Sequence, residues 1–167
     1  TRAIQTHDVL ELANKTLPYF RSGLNEASAR PVAEIILKLM KVSAVAITNK
    51  TDILTHVGAG SNHHVAKKEI ITHLSKEVIR TGKLKEAHSK EEIGCNHPNC
   101  PLKAAIVIPL MTNNEVAGTL KFYFTDKHDI TTSTKQLTRG LADIFSSQLE
   151  LGQAETQSAL VRDAEIK

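Results

Sequence analysis

Residues 104–125 read AAIVIPLMTNNEVAGTLKFYFT. Ala104, Ile106, Ile108 and Leu110 share one face of an extended chain. From Val116 to Thr125, the set Val116, Gly118, Leu120, Phe122 and Phe124 alternates with Ala117, Thr119, Lys121 and Tyr123. A period of two marks a β-strand, because successive side chains point to opposite faces. Asn113-Asn114 between the runs marks a hairpin turn. The stretch predicts an antiparallel hairpin whose second strand is half-buried.

Working outward, Val42 to Thr48 is apolar on both faces, as an inner strand would be. Asn49-Lys50-Thr51-Asp52 is a turn, and Ile53 to Val57 returns as a second arm. Leu84 to His88 reads as a short edge strand. Helical periodicity appears in four places. Residues 2–16 carry Ile4, Leu10, Leu12 and Ala13, and Leu17-Pro18-Tyr19-Phe20 followed by Gly23 should break that helix. Residues 28–41 place Val32, Ile35, Ile36, Leu39 and Met40 on one stripe. There Ser28 is the expected N-cap, with Pro31 in the first turn. Residues 67–80 carry Ile70, Ile71, Leu74, Val78 and Ile79, and Gly82 sits where a C-cap glycine belongs. From about Ser133 the chain is helical to its end, with Leu137, Leu141, Ile144, Phe145 and Leu149 as a docking stripe. Past Gly152 the pattern thins to Ala154, Leu160, Val161 and Ile166, a seam suited to a partner helix.

The order α-α-β-β-α-β-β-β-α with hairpin connections predicts an α+β domain. Its sheet should be mostly antiparallel, of about five or six strands, flanked by helices and with long terminal helices. The expected division is a linker helix and connection over 1–25, a core over 26–150 and a signalling helix over 151–167.

Composition narrows the function classes. The chain has 167 residues, 41% hydrophobic and 23% charged, enough for one domain with one core. Aromatics are 4% and Trp is absent, so Ile, Leu, Val and Ala must build that core. A net charge of +3 with interspersed signs argues against nucleic acid. No stretch approaches the roughly 20 apolar residues that span a bilayer, and no signal-peptide pattern opens the chain. Thr1 and Ile166-Lys167 read as cuts inside a longer protein. The two cysteines, Cys95 and Cys100, are too few for a secreted disulfide framework.

Several unusual stretches resemble one family. They are Thr16-Leu17-Pro18-Tyr19-Phe20-Arg21-Ser22-Gly23-Leu24-Asn25 and His56-Val57-Gly58-Ala59-Gly60-Ser61-Asn62-His63-His64. They continue with Gly94-Cys95 through Cys100-Pro101-Leu102, Ala105-Ile106-Val107-Ile108-Pro109-Leu110, Gly118-Thr119-Leu120-Lys121, and Gly140-Leu141-Ala142 to Gln148-Leu149-Glu150-Leu151. Over nearly its whole length the chain resembles the cytoplasmic GAF domain of membrane sensor histidine kinases of the LytS type. The element order is that of GAF domains, cousins of PAS domains. The resemblance implies a sensory domain of a two-component phosphorelay, cytoplasmic in a membrane-anchored parent, without membrane insertion of its own. It implies dimerisation through the terminal helices, a kinase region downstream and a response regulator. The parent's catalysis lies outside these residues: no Gly-rich nucleotide loop is visible, and the eight histidines lie away from the expected phosphoacceptor region. Two other readings stay open. One is a ligand-free dimerisation spacer; the other is a GAF enzyme reducing free methionine sulfoxide, a family that relies on several cysteines around its pocket.

Three sets of residues carry candidate chemistry. Cys95-Asn96-His97-Pro98-Asn99-Cys100 places two thiols and an imidazole in six residues. Cys95, His97 and Cys100 can hold zinc with a fourth ligand from His88, His63 or His64. The thiols can instead form a disulfide if geometry allows, or stay reduced in a surface loop. His63-His64 can bind an anion near a helix start or sense pH, or one can cap the helix while the other is solvated. Finally, by the resemblance, a small molecule would sit between the sheet, the 58–66 loop, the 67–80 helix and the 84–101 segment. His56, His63, His64, His88, Lys121 and Tyr123 are its candidate anchors. No G-x-S-x-G elbow is present, and Glu91-Glu92 and Asp126/Asp129 lie in polar stretches where solvated charge is the default.

Overall fold

The computed structural model describes residues 6–64 and 72–166. The 104–125 stretch folds into strands β4 (Ala104–Thr112) and β5 (Glu115–Phe124), paired antiparallel with Ile106 opposite Phe122 and Ile108 opposite Leu120. Asn113 and Asn114 both have positive φ, 51° and 66°, the two-residue turn whose twist matches that of the strands it joins. The register slips once, between Leu110 and Met111. Strands β1 (Ala44–Thr48), β2 (Ile53–Gly58) and β3 (Lys85–Ala87) complete a five-stranded antiparallel sheet in the order β2-β1-β5-β4-β3. β5 is thus central, and β3 is an edge strand.

The sheet has two covered faces of different chemistry. On the first, Ile106, Ile108, Leu110, Leu120, Phe122 and Phe124 join Val45, Ile47 and the apolar stripes of three helices. These are α1 (Thr6–Phe20), α2 (Glu26–Leu39) and the long α5 (Thr132–Ile166). The second face is covered by α3 (His73–Thr81), by α4 (Lys90–Ile93) and by the loop after β2, over a small apolar cluster of Ala44, Ala46, Ala105, Tyr123 and Leu102. β5 is therefore not half-buried as its alternation suggests. Thr119, Lys121 and Tyr123 are as inaccessible as Phe122, because the polar side of the strand lies on the face covered by α3, α4 and the loop after β2, with Lys121 bonded to Ser75 of α3.

Three local expectations are corrected. Helix α1 runs through Pro18 to Phe20. The missing N–H costs one bond near the helix end, while the Arg21 N–H still reaches the Leu17 carbonyl. Phe20 is fully buried edge-to-face on Phe145, and that burial holds the last turn. Helix α2 (Glu26–Leu39) is capped three residues earlier than expected. Asn25 is the N-cap and Ser28 sits at the third helical position, each side chain accepting the other's backbone N–H. Pro31 then falls in the second turn. The helix expected over 67–80 begins only at His73, with Thr72 as its extended N-cap, and residues 65–71 with Ile70 and Ile71 lie outside the described residues. Gly82 does cap it, at φ 67°, with its N–H on the Val78 carbonyl.

α1 and α5 are fastened together. Gln148 donates to the Ala13 carbonyl at 3.0 Å, and Arg21 pairs with Glu155. Gly152 passes so close to α1 that a Cβ there would lie 2.2 Å from the Arg21 carbonyl oxygen. Past that crossing α5 projects with Leu160 and Val161 exposed.

Candidate functional site

The loop-covered face gathers the chemistry. After β2, the N–H groups of His63 and His64 both bond the Gly60 carbonyl, at 3.2 and 2.9 Å, and Ser61 Oγ donates to the Gly58 carbonyl. This tight turn lays both imidazoles over the sheet. On the other side, Ser89 caps α4 and Gly94 ends it at φ 85°, its N–H shared by the Lys90 and Glu91 carbonyls. That reversal drives Cys95 inward. A turn from the His97 carbonyl to the Cys100 N–H then brings the second thiol back. Cys95 and Cys100 are buried and unbridged, so the surface-loop picture of this segment is replaced by a folded one.

His63, His64, Cys95 and Cys100 converge, with one ligand atom of each within 4.8 Å of all the others. His63 Nε2 lies 3.4 Å from Cys95 Sγ, and His64 Nε2 lies 3.7 Å from Cys100 Sγ. His97 is not among the four. Its ring stacks on His63 with centroids 4.0 Å apart, backing that ring from outside. His88 is not in the group either; it is half-exposed, with its ring 3.2 Å from Glu86.

Inward of the four lie the remaining anchors. His56 Nε2 donates to the Ala59 carbonyl, 2.7 Å away, and the ring stacks on His64 at 4.9 Å. Tyr123 is 5.4 Å from the His56 ring and 5.8 Å from that of His64. Lys121 crosses the Tyr123 ring at 5.4 Å and donates to Ser75 Oγ at 3.0 Å, which in turn accepts from Thr72 Oγ1. Sequence reasoning missed Ser75 and Thr72. A hydroxyl one turn into a helix carries no signal until a buried lysine is placed against it.

Burial sets the protonation states. It lowers His56 to about 4 and His64 to about 3, with further repulsion from neighbouring imidazoles and Lys121. His63 is lowered as well, by desolvation and then by His97. Lys121, fully enclosed, falls to about 8, and burial pushes the Tyr123 phenol and the Cys100 thiol upward. At neutral pH the cluster therefore offers neutral imidazoles with free lone pairs beside two thiols, the donor set of a thiophilic divalent metal. A separate, open groove of about 780 Å³ lies on the helix side of the sheet, lined by Lys83, Met111, Arg139 and Glu150 among others. It gathers no comparable donor set.

No family model matches the chain. It is 83% identical over all 167 residues to the sensor protein LytS of Staphylococcus haemolyticus, spanning 29% of that protein. It is 65% identical over 166 residues to the sensor histidine kinase/phosphatase LytS of Staphylococcus aureus, spanning 28% of it. The chain thus covers under a third of the length of the curated relatives it matches. Among solved structures, the GAF domain of a phosphoenolpyruvate-protein phosphotransferase from Coxiella burnetii superposes with a TM-score of 0.68, at 12% identity, over 92% of this chain and 99% of that one. A free methionine-R-sulfoxide reductase from Neisseria meningitidis, solved with its substrate, gives 0.62 at 14% identity, over 93% of this chain and 97% of that one. At such identities these likenesses establish the fold alone.

Proposed function

Because the chain belongs to the LytS family of sensor proteins and carries the GAF fold, we propose that it is the sensory domain of a two-component sensor histidine kinase. In this reading a signal received on the loop-covered face is passed to the terminal helices. The observation that carries it is the construction of β5. Lys121 and Tyr123 point into the polar cluster, while Leu120, Phe122 and Phe124 pack in the core shared with α1, α2 and α5. A change of packing around Tyr123 bears through one strand on the seat of α5. The interior is close-packed, so such a shift favours one of two discrete helix arrangements rather than fading with distance.

The reading assigns no reaction to these residues; catalysis belongs to the rest of a parent kinase acting on a response regulator. It places the domain in the cytoplasm below a membrane anchor. None of the described helices is long and apolar enough to cross a membrane. Leu151, Leu160 and Val161, exposed along the outer part of α5, supply the apolar seam through which two copies would associate.

The test is made in the intact parent kinase. Lys121→Met keeps the length of the side chain and removes its charge, and Gly152→Ala forces α5 away from Arg21. Transmission predicts that each changes the ratio of autophosphorylation to phosphatase output at least about threefold, with ATP affinity unchanged. Unchanged output from Lys121→Met would identify the domain as a dimerisation spacer and overturn the reading.

A further inference from the structure

We infer that His63, His64, Cys95 and Cys100 form a mononuclear, tetrahedral zinc site that fastens the loop after β2 to the segment before β4. The sequence pattern alone points to Cys95, His97 and Cys100; the fold substitutes the adjacent histidine pair for His97.

The distances fit one metal ion. Zinc sits about 2.3 Å from thiolate sulfur and about 2.0–2.1 Å from imidazole nitrogen, so tetrahedral neighbours of the two kinds stand ~3.6 Å apart. The two imidazole–sulfur separations, 3.4 and 3.7 Å, bracket that value. Each histidine is paired with a different cysteine, and all four donors lie within 4.8 Å of one another. A two-iron cluster would spread its ligands over a wider span, with both cysteines on one iron.

The surroundings prepare the donors. His63 Nδ1 lies 2.8 Å from Asn62 Oδ1, which accepts its proton and fixes the tautomer whose Nε2 lone pair faces Cys95. The flat stack of His97 on one side of His63 holds the ring's orientation. His64 is 1% exposed, and its Nδ1 has no hydrogen-bond partner. An imidazole buried so poorly satisfied is costly unless its other nitrogen makes a strong bond. The neighbouring Cys100 thiol is a poor partner for His64 Nε2, whereas a metal would make a strong bond there and take a lone pair from each of the four donors at once.

The charges also balance. Binding Zn²⁺ displaces the two thiol protons to solvent, and two thiolates, two neutral imidazoles and one dication make a neutral unit. That unit can be buried beside Lys121 without a further counter-ion. With four protein ligands no position is left open for substrate, so the site is structural. It joins residue pairs 32 and 36 positions apart in sequence over a face whose own apolar cluster is small and includes four alanines. The inference stands independently of the kinase reading.

The 167-residue chain, stripped with chelator under reducing conditions, is titrated with Zn²⁺ and, separately, with Co²⁺ as a spectroscopic probe. The expected result is about one metal per chain, with the intense visible bands of tetrahedral cobalt and a thiolate-to-cobalt charge-transfer band. This arm needs no variant. Cys95→Ser and the half-exposed His63→Ala should each weaken binding at least about a hundredfold, whereas His97→Ala should retain one metal and lose no more than about tenfold. The inference is overturned if the stripped chain takes up neither metal stoichiometrically, if cobalt binds with an octahedral spectrum, or if Cys95→Ser and His63→Ala bind as tightly as the unmodified chain.

Discussion

The two faces of one sheet are held in opposite ways. The helix side is a dense core of Ile, Leu, Val and Phe contributed by regular elements. The loop side is built of alanines with Ile93 and Leu102, one tyrosine, a buried lysine, three histidines and two cysteines, covered by short turns, the nine-residue α3 and the single turn of α4. Each large apolar side chain on the first face contributes roughly 1.5–3 kcal/mol by leaving water. Alanine contributes far less, and each buried polar group on the second face costs free energy unless it is partnered. The helix side therefore folds on its own account, while the loop side depends on what its polar groups bind. A sensing surface needs that dependence, because only an equilibrium near balance is shifted by a ligand.

The sharpest way to break the contrast is to truncate the helix side. Phe145→Ala removes the partner of Phe20 in a fully buried site, and should cost about 3–5 kcal/mol in denaturant unfolding. A loss under 1 kcal/mol would mean that the helix side is not the principal core. Chelation comes next. If zinc is bound at a thousandfold excess over its dissociation constant, its removal should cost about 4 kcal/mol, and the melting temperature of wild-type chain alone should fall. An equal fall in Cys95→Ser would break the link to the site.

Lys121 gives a pH test with a definite sign. Its folded pKa of about 8 lies below the usual lysine value of 10.5. Between these values the unfolded chain binds more protons than the folded one, so this group's contribution to stability rises with pH from about 8 to 10.5. Below pH 8 the buried charge exerts its full penalty. Lys121→Met should therefore be more stable than wild type at pH 7, by something of order 1–3 kcal/mol. The difference should shrink as pH approaches 10, in paired unfolding curves. A pH-independent difference would place the lysine charge in contact with solvent. The smallest expected effect is Asn25→Ala, which removes half of the capping box and should cost about 1 kcal/mol by the same measurement.

What was legible in the sequence follows the same division. The hairpin was readable because Asn113-Asn114 and the alternation of β5 are local signals, and the α5 stripe was readable because its period is internal to the helix. Pro18 and Ser28 misled because tertiary burial of Phe20 and a reciprocal cap at Asn25 outweighed the nearest local cue. In the site, His63, His64, Cys95 and Cys100 were each recognisable as donors, yet nothing local could choose His63 and His64 over His97 or His88. That choice is made by the sheet, which brings the end of β2 over the segment that enters β4. Proximity in sequence favoured His97, and the fold gives it a supporting place instead.

The most direct test is backbone hydrogen exchange of the reduced chain, with and without a zinc chelator. If the loop side is held by its metal ligands and the helix side by burial, chelation should strip protection from residues 59–64 and 94–102. Amides of α2 and of α5 around Phe145 should be left unchanged. Protection lost equally on both faces, or on neither, would contradict the account.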